Sequence, residues 1–126
     1  MYENLVLFQT AVAKARHAGQ AQALVARNIA NADTPGFRAQ HLAAFDPDAA
    51  TTTGIQMRKT RAAHLQIVTT AAPRAIVDGM SEPSPNGNSV AIEEEMLAAT
   101  RNVSDHTQAL AIFRHAMNVL RTSIGR

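Results

Sequence analysis

From Ile92 to Ile124 the chain sets Ile92, Met96, Ala99, Val103, His106, Leu110, Phe113, Met117, Leu120 and Ile124 at alternating steps of four and three. Those steps return to one side of an α-helix and cannot lie on one face of a strand. The pattern is an a/d heptad stripe with a single polar member, His106. Glu93, Glu94 and Glu95 crowd its first turn, and Arg114, His115, Arg121 and Arg126 gather toward its end. Both clusters complement the helix dipole. A helix with such a stripe does not stand alone in water, because most helical stability comes from covering the apolar face. It must pair with another helix of its own chain, with neighbouring subunits, or with both.

The other end of the chain offers the partner. Residues from about Asn4 to Ala32 predict one helix, with Leu5, Phe8, Val12, Ala15, Gly19, Ala26 and Ile29 at three-four spacing. At about 1.5 Å per residue it would be roughly 42 Å long. Its second half presents mainly alanine and glycine, which allows close backbone approach. Gly19 costs roughly 1 kcal/mol against alanine in a helix, and close packing would account for it. The chain has no Trp, one Tyr and four Phe. That composition suits helices packed along their length better than a thick globular centre.

The first helix pattern ends in Asn28-Ile29-Ala30-Asn31-Ala32-Asp33-Thr34-Pro35-Gly36-Phe37. Asn28, Asn31 and Asp33 are poor helix-interior residues, since short polar side chains compete for backbone groups. Pro35 forbids a continuing helix and pushes Thr34 into an extended conformation. Gly36 supplies positive φ, so Thr34 to Phe37 predicts a type II or related turn. Phe37 is the bulky anchor beyond it.

Between the two helices the periodicity dissolves. Residues 46–54 are rich in turn formers, whereas Ile55–Arg58 and Leu65–Thr69 alternate enough to allow strands. Pro73 to Asn88 holds three of the five prolines and two of the six glycines. The expected fold is mainly α: long terminal helices paired as a coiled-coil-like hairpin around a small irregular, β-containing middle. The expected divisions are 1–37 for the first helix and its turn, 38–88 for the middle, and 89–126 for the second helix.

Chemistry finds little support. The chain has no Cys, which excludes disulfides and thiol nucleophiles. Its five histidines are scattered without an i,i+4 pair, and no serine sits in a Gly-x-Ser-x-Gly elbow. No glycine-rich phosphate loop is present, so neither catalytic residues nor a cofactor or metal is expected. Arg58-Lys59-Thr60-Arg61 is basic but lacks interleaved aromatics, and the net charge is only +2. Nucleic acid and small-molecule substrates are not expected partners. The first nine residues lack a basic n-region, so no cleaved Sec signal is expected there.

The stretch from Asn28 to Phe37 resembles the N-terminal signature of the bacterial flagellar rod and hook axial proteins. Thr60-x-x-x-His64-Leu65 is similar to an element in the middle of the short rod members. Asn86-Gly87-Asn88-Ser89-Val90 followed by Glu93-Glu94-Glu95-Met96 resembles their entry into the C-terminal helix. Two positions depart from that pattern. Ala91 stands where an Asp often caps the helix, leaving the start to lean on Ser89 or to fray. His106 stands where an aromatic is usual, and is read as a partly buried structural residue.

The resemblance implies a non-enzymatic structural subunit of the proximal rod, polymerising through its terminal helices. The signature residues Asn28, Asn31, Asp33, Thr34, Pro35, Gly36 and Phe37 would shape the turn. Ile92, Met96, Val103, Leu110, Phe113, Met117, Leu120 and Ile124 would form the assembly seam. Implied partners are further copies, other rod proteins, the rod-base adaptor protein, the export gate and the membrane ring. Implied localisation is the periplasmic rod of the basal body, reached through the type III export apparatus without a cleaved signal. A soluble helical-hairpin adaptor and the other short proximal rod protein are the alternatives.

Overall fold

A computed structural model describes residues 2–47, 75–77 and 83–125. Helix α1 spans Tyr2–Ala30 and helix α2 spans Ile92–Ser123. Between them, strand β1 (Gln40–Leu42) pairs antiparallel with β2 (Ala75–Val77), Gln40 opposite Val77 and Leu42 opposite Ala75. The fold is thus mainly helical with a small two-stranded element, as the patterning predicts. The strand at Ala75–Val77 falls in the stretch marked by prolines and glycines, where no alternation points to a strand. The runs at Ile55–Arg58 and Leu65–Thr69 lie outside the described residues.

The helices pack antiparallel. Phe8 meets Phe113 with ring centroids 4.5 Å apart, and Lys14 Nζ lies 3.1 Å from Asp105 Oδ1 while also donating to Gln108 Oε1 at 3.1 Å. At the other end, Asn28 Nδ2 donates to Glu95 Oε1 at 2.8 Å. The early turns of α1 therefore lie against the late turns of α2.

The buried residues show which faces meet. On α1 they are Ala11, Ala18, Val25 and Asn28; on α2 they are Glu95, Ala109 and Ala116. Ala11, Ala18 and Val25 are spaced by sevens, and Glu95, Ala109 and Ala116 by fourteen and seven. The contact is therefore heptad-like, but the buried column on each helix sits one residue before the one the periodicity picks out. On α1, Ala11, Ala18 and Val25 take the place expected for Val12, Gly19 and Ala26. On α2, Glu95, Ala109 and Ala116 take the inward place beside Met96, Leu110 and Met117. One residue is about 100° around a helix, so Met96 turns out to solvent while Leu110 and Met117 are half-buried beside the alanine contact.

The physical reason is proximity. Alanine lets two backbones approach, whereas larger side chains at the same positions would hold the helices apart. Gly19 does not fill the close-packing role expected of it. It is exposed, and a Cβ built there meets nothing within 4 Å.

Candidate functional site at the turn junction

The chain reverses at the end of α1 through a network of asparagines. Asn31 Nδ2 donates to Arg27 O at 2.8 Å, and Asn31 N to Asn28 O at 3.0 Å. Thr34 Oγ1 reaches back to Asn31 Oδ1 at 3.3 Å. Phe37 N then donates to Thr34 O at 3.2 Å, closing a four-residue turn with Pro35 and Gly36 at its centre. Gly36 has φ +72°, the value a type II turn requires at its third position. Phe37 is half-buried, while Asp33, Thr34, Pro35 and Gly36 are exposed. Asp33 makes no side-chain hydrogen bond among the described residues.

A second turn, Ser84 to Gly87, closes by Gly87 N to Ser84 O at 2.7 Å. The two turns lie against each other. Gly36 N donates to Asn86 O at 3.0 Å, and Ser89 N donates to Phe37 O at 3.0 Å. Gly87 has φ +79°, a left-handed backbone that favours glycine, and a Cβ there would touch Gly36 Cα at 3.4 Å.

Asn88 ties both turns to α1. It is 3% exposed, and its Nδ2 faces three carbonyls: Asn31 O at 2.9 Å, Ala32 O at 2.7 Å and Thr34 O at 2.9 Å. These carbonyls lie in the turn just past the end of α1. Asn88 Oδ1 accepts from Val90 N at 2.7 Å, so one side chain finishes α1 and leads into α2. Its place in the Asn-Gly-Asn-Ser-Val motif was visible in sequence; its partners, more than fifty residues back, were not.

Asn28 does the matching work on the other side. Besides donating to Glu95, its Nδ2 donates to Gln40 O at 3.0 Å, and its Oδ1 accepts from Gln40 N at 3.1 Å. The amide thus pairs with both backbone groups of Gln40 in β1, as a residue of a neighbouring strand would. Glu95 is 2% exposed; its Oε1 also lies 3.6 Å from His41 Nε2, while Oε2 has no hydrogen-bond partner among the described residues. Glu93, Glu94 and Glu95 are all in the first turn of α2, but only Glu95 turns inward.

Of the two expected starts for α2, the one leaning on Ser89 is not what forms. Ala91 occupies the N-cap in extended conformation without a side-chain cap bond. Ser89 Oγ instead accepts from Ala39 N at 2.9 Å, which fixes the segment before β1. The helix entrance is held by Asn88 at Val90 N.

Away from the junction lies an uncovered apolar face. Ile92, Met96, Val103 and Ile124 are exposed, at 46%, 62%, 56% and 78%, while Leu110, Phe113, Met117 and Leu120 are half-buried. Where α1 passes α2, a shallow groove of about 350 Å³ is lined by Val12, Ala15, Arg16, His106, Leu110 and Phe113. His106 is exposed on this groove rather than partly buried in a seam. Among the described residues no group of three or more His, Asp or Glu is placed to hold a metal, and no helix is long and apolar enough to cross a membrane.

Fold and junction together define a helical-hairpin protein with an alanine-lined internal contact, a closed polar turn and an open apolar side. The family described as Flagella basal body rod protein matches residues 9–38, which hold most of α1 and the whole Asn28–Phe37 turn. The flagellar basal body rod protein FlgB of Agrobacterium fabrum is 38% identical over 102 residues, covering 75% of this chain and 74% of its own. The chain belongs to the flagellar basal body rod protein family.

Proposed function

We propose that this chain is a structural, non-enzymatic subunit of the proximal rod of the flagellar basal body, polymerising through its terminal helices. Family membership supports a rod subunit. The observation that carries the assembly reading is the apolar stripe of Ile92, Met96, Val103 and Ile124, continued by Leu110, Phe113, Met117 and Leu120, which the chain's own fold leaves wholly or partly uncovered. A contiguous exposed apolar surface on a small protein marks an interaction site. On this reading the signature residues Asn28, Asn31, Asp33, Thr34, Pro35, Gly36 and Phe37 fix the angle at which residues 38–88 leave the hairpin. That angle is then repeated in every subunit.

The partners on this reading are other rod subunits and further copies, with the rod-base adaptor protein, the export gate and the membrane ring at the inner end. The subunit reaches the periplasm by type III export. Fractionation tests the proposal: the chain should co-purify with intact basal bodies. A purely cytosolic pool would instead favour a soluble hairpin adaptor.

A further inference from the structure

Two features of the open side are complementary and cannot meet within one chain. The groove between α1 and α2 has an apolar floor of Val12, Ala15, Leu110 and Phe113, with Arg16 and His106 among its lining residues. Arg16 is exposed and has no ion-pair partner among the described residues. The first turns of α2 present the opposite character: exposed Ile92, Met96 and Leu97 beside exposed Glu93 and Glu94, which are also without ion-pair partners among the described residues. At 1.5 Å per residue, the stretch from Glu94 to the groove around Leu110 is on the order of 20 Å along the helix.

We propose that the acidic, apolar start of α2 in one copy seats in the Arg16/His106 groove of a second copy displaced along the hairpin axis. Ile92 and Met96 enter the apolar floor, and Glu93 and Glu94 meet Arg16 and His106. Knob and groove are different surfaces, so the contact is heterologous. Repeated with the same displacement it does not close on itself, and it generates an open array. A closed antiparallel pair would instead place the same stripe against itself. The inference rests on the rod reading, to which it adds the contact between copies.

The absence of native cysteine allows a direct test. A full-length Arg16→Cys, Glu94→Cys double variant is oxidised both in cells and as concentrated protein. A ladder of trimers and higher species is expected, since the two positions are too far apart to join within one chain. Glu93→Lys with Glu94→Lys should lower the crosslinking of a Val12→Cys, Ile92→Cys pair, which keeps Arg16 in place, at least tenfold. Adding Arg16→Glu and His106→Glu to that background should restore it. Products that stop at the dimer, or no product in basal bodies that contain the chain, would overturn the contact while leaving the rod reading intact. Absence of the chain from basal bodies would overturn the rod reading itself.

Discussion

Asn28 and Glu95 are 0% and 2% exposed, and they face each other across the two helices with Asn28 Nδ2 2.8 Å from Glu95 Oε1. A buried carboxylate is tolerated when donors reach it, and removing a donor leaves the whole desolvation penalty behind. Asn28→Ala should therefore destabilise the hairpin by about 2–4 kcal/mol. Glu95→Gln keeps the shape and an acceptor oxygen, and should cost about 1 kcal/mol. Thermal melts followed by circular dichroism decide this. Equal losses for the two variants would mean the pair is not what holds the helices at this end.

Asn88 supports a sharper expectation, because one amide serves three carbonyls. Asn88→Ala removes that donor and should cost about 1–3 kcal/mol. Asn88→Asp is nearly isosteric but turns a carboxylate oxygen toward Asn31 O, Ala32 O and Thr34 O, so it should be worse than alanine. An aspartate variant more stable than the alanine one would show that the contact is shape rather than hydrogen bonding.

At the turn, Gly36 has positive φ and open space around the Cβ position. Gly36→Val should cost about 1–2 kcal/mol from backbone strain, and Gly36→Asn much less, since Asn tolerates this region. Pro35→Ala acts mainly by loosening the unfolded chain, an effect of about 0.4–1 kcal/mol. Soft-agar swimming should follow the same order. A Gly36→Val strain that swims normally would reduce the turn to a generic helix stop.

Gly19 provides a change in the opposite direction. It lies exposed within α1 with nothing near its Cβ position, so Gly19→Ala should stabilise the isolated chain by about 0.5–1 kcal/mol. Urea denaturation of the purified protein measures it. A stable variant that assembles poorly would place a neighbouring subunit against this site.

The pairing of long terminal helices was legible because a heptad repeat extends over α2 and a small-residue pattern over α1. Which side of each helix faces inward was not. Periodicity follows the largest apolar side chains, whereas the internal contact selected Ala11, Ala18, Ala109 and Ala116, whose smallness brings the backbones together. The polar members were hidden for a different reason. Asn28 reads as a helix-ending residue, and Glu95 as one of three dipole-favouring acids. Their partnership joins positions 67 residues apart in sequence, and no local pattern encodes it. The type II turn at Thr34–Phe37 was readable because its backbone demands are local to Pro35 and Gly36.

If the stripe left uncovered by α1 is the surface that builds the rod, a charge placed on it should block assembly and leave the hairpin folded. Val103 isolates that idea: it sits on the stripe, is 56% exposed, and lies outside the internal contact. Phe113, by contrast, packs on Phe8, so Phe113→Asp should harm folding and assembly together. The decisive measurement is the amount of Val103→Asp protein in purified basal bodies, beside its helicity in solution. The account predicts unchanged helicity with loss of the protein from the rod and loss of swimming, because a charge buried without a partner in the assembled contact costs several kcal/mol. Normal incorporation and motility of Val103→Asp would contradict it.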